Sequence, residues 1–120
     1  MDVLVVDDEP LILEACRRVL SKEGHRITLV GGTREALAAL EKARYHLVIA
    51  DLKMPETDGL HLIEVARKRW PHLPILAMSG YPTWDTVSSS LASGADNFIA
   101  KPWTPTELLE AVQKLLPADS

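Results

Sequence analysis

The sequence has one cysteine, Cys16, among its 120 residues. A single cysteine cannot form an internal disulfide, and its position in an apolar helical stripe predicts a buried thiol in a reducing compartment. No apolar run approaches the roughly 18 residues that a membrane span requires. The chain opens on a predicted strand and not on a signal-type segment. These absences predict a cytoplasmic protein that does not enter a membrane.

The sequence also lacks a block of basic residues. It carries 13 Lys and Arg against 17 Asp and Glu, which gives a formal net charge of −4. A nucleic-acid-binding surface needs a concentration of positive charge to contact phosphates. We therefore expect no direct contact between this chain and nucleic acid.

No linker, low-complexity tract or internal repeat divides the chain, and its length predicts one domain over residues 1–120. Short apolar runs alternate with amphipathic, helix-like stretches, and these runs have the composition of strands buried on both faces. The predicted strands are Asp2–Val6, Arg26–Val30, Leu47–Ala50, Pro74–Met78 and Asp96–Ala100. This alternation predicts an α/β fold with a doubly wound parallel sheet. No acid ends the second strand, so we place that strand at the sheet margin.

Helix starts are predicted from capping residues. Thr33 and Asp58 are positioned to cap the second and third helices. Thr104 and Glu107 have the spacing of a capping box, with Pro105 at the first helical position. Capping residues of this kind predict the residue at which each helix begins.

Two helices carry predictions about solvent exposure. On the third helix, the basic run Arg67-Lys68-Arg69 is expected to stay in water. The fourth helix, over residues 82–93, is the weakest because its three consecutive serines are poor helix formers. Its plausible inward residues are Val87, Leu91 and Ala92. Trp84 is expected to be partly exposed and available to a partner.

Polar residues follow four of the five predicted strands. They are Asp7 and Asp8, Asp51, Ser79 and Lys101, in chain order. Because the carboxyl ends of parallel strands share one edge of the sheet, these side chains are expected to converge. Carboxylates from two loops suit a hard divalent cation such as Mg²⁺, which also offsets the repulsion between neighbouring acids. The sequence therefore predicts a Mg²⁺ site at this edge.

The same group of residues suits phosphoryl transfer. Asp51 can attack a phosphoryl group while Lys101 and the metal neutralise charge on the phosphoryl oxygens and the Ser79 hydroxyl converges on them. The predicted product is an aspartyl phosphate. Taken singly, the acids could cap helices, the serine could lie in a turn and the lysine could be a surface residue. Their joint occurrence at one edge favours the functional interpretation.

These residues resemble those of the receiver domain of bacterial two-component response regulators. Four sequence signatures of that family are matched in order and spacing. They are Val5-Val6-Asp7-Asp8-Glu9-Pro10, Asp51-Leu52-Lys53-Met54-Pro55 with Asp58-Gly59, Met78-Ser79-Gly80-Tyr81, and Lys101-Pro102. The resemblance covers essentially the whole chain. It implies a flavodoxin-like (βα)5 fold with strand order 2-1-3-4-5.

The resemblance also implies roles for individual residues. Asp51 would accept phosphate from a sensor histidine kinase or a phosphotransfer protein. Asp7 and Asp8 would hold Mg²⁺ together with Asp51 and the backbone carbonyl of Lys53. Lys101 would pair with the phosphoryl group. On this interpretation the domain is not an enzyme acting on other substrates, because it catalyses only its own phosphorylation and dephosphorylation.

A conformational switch is implied as well. Ser79 corresponds to the family's switch hydroxyl, and Phe98 to its switch aromatic. Phosphorylation would then alter the face built from the fourth helix, the fifth strand and the last helix, and that face would control an output domain or partner protein. A homodimer of the phosphorylated form is compatible with this scheme.

Two alternatives remain open at this point. A haloacid-dehalogenase-type phosphatase also uses an aspartate nucleophile, but it places that aspartate on the first strand with a second aspartate two residues on. Here the first strand ends Asp7-Asp8-Glu9, and the chain has no room for a substrate-covering cap. A receiver-like scaffold that signals without phosphate is the second alternative, and the intact acids, hydroxyl and lysine argue against it.

Overall fold

The structure is a computed structural model that describes residues 1–53, 59–80 and 82–116. Within these residues, five strands alternate with five helices, as predicted. The strands are β1 (Asp2–Val6), β2 (Arg26–Val30), β3 (Leu47–Asp51), β4 (Ile75–Ser79) and β5 (Asn97–Ala100). The helices are α1 (Pro10–Ser21), α2 (Thr33–Lys42), α3 (Gly59–Arg69), α4 (Trp84–Ser93) and α5 (Pro105–Leu115). None of the helices in the described ranges is long and apolar enough to cross a membrane.

All five strands are parallel and lie in the order β2-β1-β3-β4-β5. The predicted strand order is therefore confirmed, and β2 lies at the margin as expected. The chain moves outward from β1 to β2 and then returns past β1 to β3. This reversal places the topological switch point between the carboxyl ends of β1 and β3, where ligands bind in open α/β sheets.

Helices cover both faces of the sheet and create two cores. Successive strand residues point to opposite faces, so Val3 and Val5 join one core while Leu4 and Val6 join the other. The first core contains residues of α1 and α5, including the buried Cys16. The second contains residues of α2 and α3, and α4 lies beside α3. Cys16 is fully buried, which confirms the predicted buried thiol. This burial and the nearby charge of Asp7 raise the pKa of the thiol to about 12.

The capping predictions have different outcomes. The capping box of α5 is confirmed, because Glu107 N donates to Thr104 Oγ1 at 3.1 Å and Thr104 N donates to Glu107 Oε1 at 2.9 Å. The prediction for Thr33 is wrong: Gly32 is the N-cap, and Thr33 is the first residue of α2. The preceding glycine is extended, so the helix starts one residue earlier and turns the Thr33 side chain into the core. Asp58 lies outside the described residues.

Helix α4 is shorter than predicted and packs differently. It begins at Trp84, where Thr83 Oγ1 accepts a hydrogen bond from Thr86 N. The inward orientation predicted for Leu91 and Ala92 is wrong, since both are exposed and Ser90 is buried in their place. The helix lacks a strong apolar stripe, so the small Ser90 can face the core with its hydroxyl bonded to the Val87 carbonyl at 2.8 Å. Trp84 is 83% exposed, which confirms its predicted exposure.

Arg67 is not free in solvent as predicted, because it joins α3 to the turn between α4 and β5. Its Nε and Nη2 atoms donate to the Gly94 carbonyl at 3.0 and 2.8 Å. Nη2 also donates to Asp96 Oδ2 at 2.8 Å, and that oxygen accepts a further bond from Ile75 N. Gly94 has a φ of +125°, and a Cβ there would lie 2.9 Å from Arg67 Cβ. A glycine is therefore required where the arginine crosses.

The Arg67 contacts predict a local contribution to stability. Arg67→Ala should lower the free energy of unfolding by about 1–2 kcal/mol, because the Gly94 carbonyl loses both its donors while the exposed ion pair with Asp96 contributes little. Urea unfolding monitored by circular dichroism measures this change. Lys68→Ala is the matched control, since its side chain is exposed and should cost less than about 0.5 kcal/mol. Equal unfolding midpoints for the two variants would contradict the prediction.

Candidate functional site

Two almost completely buried aspartates lie at the carboxyl ends of neighbouring strands. Asp7 directly follows β1 and is 0% exposed, and Asp51 ends β3 and is 2% exposed. The register pairs Val6 with Ala50, so the next residue of each strand reaches the same edge. The exposed Asp8 and Glu9 lie beside them, with one ligand oxygen of each of these four acids within 4.8 Å of the others. The predicted convergence of acids is present.

Lys101 follows the edge strand β5 and extends to this group of acids. Its Nζ lies 2.8 Å from Asp7 Oδ2, 3.3 Å from Asp51 Oδ2 and 3.1 Å from Glu9 Oε1. The backbone holds the residue in place, since Lys101 N donates to the Ser79 carbonyl at 2.8 Å. Its side chain is 10% exposed. One ammonium group is therefore shared by three carboxylates.

The electrostatics of the site are unbalanced towards negative charge. Burial raises the pKa of Asp7, although Lys101 and the Glu9 amide act in the opposite direction. Burial and then the charge of Asp7 raise the pKa of Asp51 against the effects of Lys101 and the Lys53 amide. Burial disfavours the charge on Lys101, but the acids around it outweigh this and raise its pKa. A single cation does not fully compensate the acids.

The donor set fits a hard divalent cation. Asp7 Oδ1 accepts a hydrogen bond from Glu9 N at 2.8 Å, and Asp51 Oδ1 accepts one from Lys53 N at 3.3 Å. Asp7 Oδ2 is buried and lies 2.8 Å from the Lys101 ammonium. Because several acids share this one lysine and all the ligand atoms are oxygen, the group is suited to bind a metal ion.

Ser79 and Phe98 occupy the positions expected for them on the neighbouring strands. Ser79 ends β4, is fully buried and pairs in register with Ala100, so it reaches the edge between Asp51 and Lys101. Phe98 lies earlier on β5, is half-buried and packs against the core on the α3 side. The serine therefore lies at the edge of the site, whereas Phe98 lies two residues before Ala100, the register partner of the serine.

The backbone around Asp51 is tightly packed against α3. Gly59 begins that helix and donates from its N–H to the Leu52 carbonyl at 3.2 Å. A Cβ at Gly59 would overlap the backbone carbonyl oxygen of Asp51. A glycine is thus required at position 59, because the backbone of Asp51 leaves no space for a side chain there. The remaining signature residues Met54, Pro55, Asp58 and Tyr81 lie outside the described ranges.

The site contains the residues that the sequence predicted, with one addition. Asp7, Asp8, Asp51 and Lys101 form one cluster, and the Lys53 backbone is bonded to Asp51. Glu9 was not predicted as a member, yet its carboxylate contacts Lys101. The only sequence signal for it was the uninterrupted run of acids after β1.

Comparisons with known proteins agree with this arrangement. The sequence model described as "Response regulator receiver domain" matches residues 3–113. The chain is 38% identical to the transcriptional regulatory protein PmrA of Pectobacterium parmentieri, over 97% of this chain and 52% of that protein. It is 35% identical to the response regulator protein FleR of Pseudomonas aeruginosa, over 93% of this chain and 24% of that protein. The chain thus spans about half of PmrA and about a quarter of FleR.

A solved structure shows the same similarity in three dimensions. The chemotaxis protein CheY4 of Vibrio cholerae superposes with a TM-score of 0.92 at 30% identity, over 96% of this chain and 98% of that one. Receiver domains of this type bind Mg²⁺ at their acidic pocket and interact with kinases and output domains. They are signalling domains and not conventional enzymes. The phosphatase and scaffold alternatives are therefore not favoured, and this chain belongs to the response regulator receiver domains of two-component phosphorelay systems.

Proposed function

We propose that Asp51 is the phosphoryl acceptor of this receiver domain. The observation that carries the proposal is the convergence of Asp51 and Lys101, whose charged atoms lie 3.3 Å apart beside the buried Asp7. The donor would be a phosphohistidine of a sensor kinase or a phosphotransfer protein. An Asp51 oxygen attacks phosphorus, the P–N bond to the imidazole breaks, and the released nitrogen keeps the electron pair and takes up a proton.

Lys101 would stabilise the charge that moves in this step. Its ammonium group is already held between Asp7 and Asp51, and its raised pKa keeps it protonated at neutral pH. Phosphoryl transfer depends mainly on positioning and on neutralising charge on the phosphoryl oxygens. Because the Lys101 ammonium is already in place, it would provide positioning and charge neutralisation without a rearrangement of the site.

We propose that Asp7, Asp8 and Asp51, with the backbone carbonyl of Lys53, hold Mg²⁺. When bound, the ion would neutralise charge on the phosphoryl oxygens. The chain contributes the acidic environment itself, namely two buried carboxylates with raised pKa values and the exposed Asp8 carboxylate beside them. Glu9 would remain with Lys101, which its carboxylate contacts at 3.1 Å.

We propose that Ser79 and Phe98 convert phosphorylation into a change of surface. A phosphoryl group adds about −1.5 to −2 charges and three acceptor oxygens at the edge that Ser79 reaches. The Ser79 hydroxyl would donate to that group and draw the following loop inward, and the half-buried Phe98 would move into the vacated space. Helix α4 has Ser90 as its one fully buried residue, so the face of α4, β5 and α5 is the element most readily shifted.

We propose further that residues 1–120 form one receiver domain whose α4, β5 and α5 face controls an output domain or a partner protein. PmrA and FleR are much longer than this chain, which supports control of an attached domain in proteins of this kind. Homodimerisation of the phosphorylated form through the same face is one way to achieve this. The net charge of −4 supports action without direct nucleic-acid contact, and the phosphorelay role supports a cytoplasmic location.

The acceptor assignment predicts a specific covalent change. Incubation with Mg²⁺ and phosphoramidate should add one phosphoryl group to the protein, and hydroxylamine should remove it, because an acyl phosphate is labile to that nucleophile. Intact-mass spectrometry measures both steps. Asp51→Asn should remain unmodified, whereas Asp85→Asn, which changes an exposed carboxylate on α4, should be modified like the original protein. Modification of Asp51→Asn at the same rate would refute the assignment.

The raised pKa values predict that the ionised acids reduce stability when no metal is bound. A group whose pKa is higher in the folded than in the unfolded protein makes folding less favourable as pH rises through that folded pKa. Asp51→Asn should therefore unfold at a higher urea concentration than the original protein at pH 7 without Mg²⁺. The advantage should disappear as the pH falls towards 3.8, the ordinary pKa of an aspartate, because the buried carboxyl of the original protein is then protonated as well.

Mg²⁺ provides the matching test of the metal site. A tenfold excess over the dissociation constant should raise the free energy of unfolding by about 1.4 kcal/mol at pH 7. Asp7→Asn should abolish most of this gain, and Asp85→Asn should preserve it. A gain of equal size in all three proteins would mean that Mg²⁺ binds elsewhere.

The switch proposal predicts where the molecule changes. Phosphorylation should shift backbone amide resonances mainly within residues 80–103, because this segment contains α4 and β5. Two-dimensional ¹H–¹⁵N spectra of the protein with and without phosphoramidate measure the shifts. Ser79→Ala should still be phosphorylated but should show much smaller shifts in α4. Shifts confined to α1 and α2 would contradict the proposal.

A further inference from the structure

A groove lies at the edge of the sheet opposite the carboxylates. Its walls are residues 40–46, which lead from α2 into β3, and residues 69–74, which lead from α3 into β4. Its volume is about 770 Å³, within the roughly 300–1,000 Å³ typical of small-molecule sites. The length of β3 separates it from Asp51 by roughly 15 Å at about 3.3 Å per residue. The groove is therefore distinct from the acidic site.

The groove is lined by two aromatic side chains and by buried leucines. Tyr45 and Trp70 both line it, and each ring is half-buried and packed against the core. Leu40 and Leu73 also line it and are buried. Rings that are fixed by core packing present a flat apolar surface at little entropic cost, and aromatic rings stack favourably on other rings.

Contacts between α2 and α3 fix one wall of the groove. Arg69 Nη1 donates to Glu41 Oε1 at 2.7 Å and joins the ends of the two helices. The Arg69 guanidinium also lies over the Trp70 ring, 4.6 Å from its centroid. The tryptophan is held by this contact and by the core, so its position does not depend on a ligand.

The rim of the groove is basic although the protein is acidic overall. Lys42, Arg44 and Arg69 line it and carry the positive charge, and the His46 ring beside them accepts a hydrogen bond from Asp2 N at 3.0 Å. Glu41 is its acidic residue, and the bond to Arg69 already neutralises that charge. Among the ion pairs of the described residues, neither Lys42 nor Arg44 has a partner. Lys42 also complements the dipole of α2, in whose last turn it lies, but Arg44 lies beyond that helix and has no such role.

We propose that this groove binds a planar aromatic anion. The ring would pack against Tyr45 and stack on the Arg69 guanidinium that covers the Trp70 ring, and a carboxylate, sulfonate or phosphate group would pair with Arg44, assisted by Lys42. A guanidinium can bind such a group through two parallel hydrogen bonds. The proposal goes beyond the receiver function and does not rest on phosphorylation of Asp51.

The proposal is tested with naphthalenesulfonate and with the uncharged naphthalenesulfonamide of the same ring position. Titration of ¹⁵N-labelled protein should give saturable amide shifts concentrated in residues 40–46 and 69–74. The sulfonate should bind about fivefold to tenfold more tightly than the sulfonamide, because only the sulfonate forms charge-assisted bonds. Equal affinities, no binding, or shifts centred on the exposed Trp84 and Leu91 of α4 would overturn the proposal.

Variants assign the anion contact to one residue. Arg44→Gln should weaken sulfonate binding about fivefold while leaving sulfonamide binding unchanged. Arg34→Gln is the matched control, since it removes the same charge from an exposed position of α2 outside the groove. Both variants should be phosphorylated as the original protein is, so failure of the groove proposal is separable from failure of the acceptor assignment. Identical sulfonate affinities for the two variants would refute the role of Arg44.

Discussion

The candidate site depends on one constraint, which is that two buried aspartates are held side by side at one edge of the sheet. Asp7 and Asp51 are each at most 2% exposed, and their negative charges share the single ammonium group of Lys101. Water cannot solvate these carboxylates as it does on a surface, so their pKa values are raised despite the lysine. The site therefore favours any cation that adds to Lys101. Metal binding would meet that condition, and a bound cation would also offset the negative charge that a phosphoryl group adds.

The sheet supplies the stability that allows such a site. β1, β3 and β4 are buried on both faces, and alternate residues feed two separate cores. Sheet order also positions the lysine, because β5 lies beside β4 and the residue that follows β5, Lys101, contacts both Asp7 and Asp51. The fold tolerates buried acids at this edge of the sheet because burial of the apolar interior stabilises the folded state by far more free energy than burial of the acids removes.

Helix α4 has its two ends held in different ways. Its C-terminal end at Gly94 is bonded to Arg67 of α3, which also contacts Asp96 before β5. Its N-terminal end is held by the local Thr83 cap, close in sequence to Ser79. A helix that is anchored at one end and weakly packed along its length can pivot, and such low-stability elements commonly carry conformational change. This arrangement supports the proposed coupling between the edge of the sheet and the exposed face of α4.

The sequence by itself determined the alternation of strands and helices, the acids and lysine at one edge, and the capping box at Thr104, because each follows from local periodicity or from chain order. Tertiary structure decided what depends on segments meeting in space. The contact of Glu9 with Lys101 joins residues 92 positions apart, and the bond of Arg67 to Gly94 joins α3 to the turn that follows α4. The inward turn of Thr33, the burial of Ser90 in place of Leu91 and the basic groove likewise depend on the packing of neighbouring elements. Local pattern specifies which residues are polar or apolar, but only packing determines which neighbours they meet.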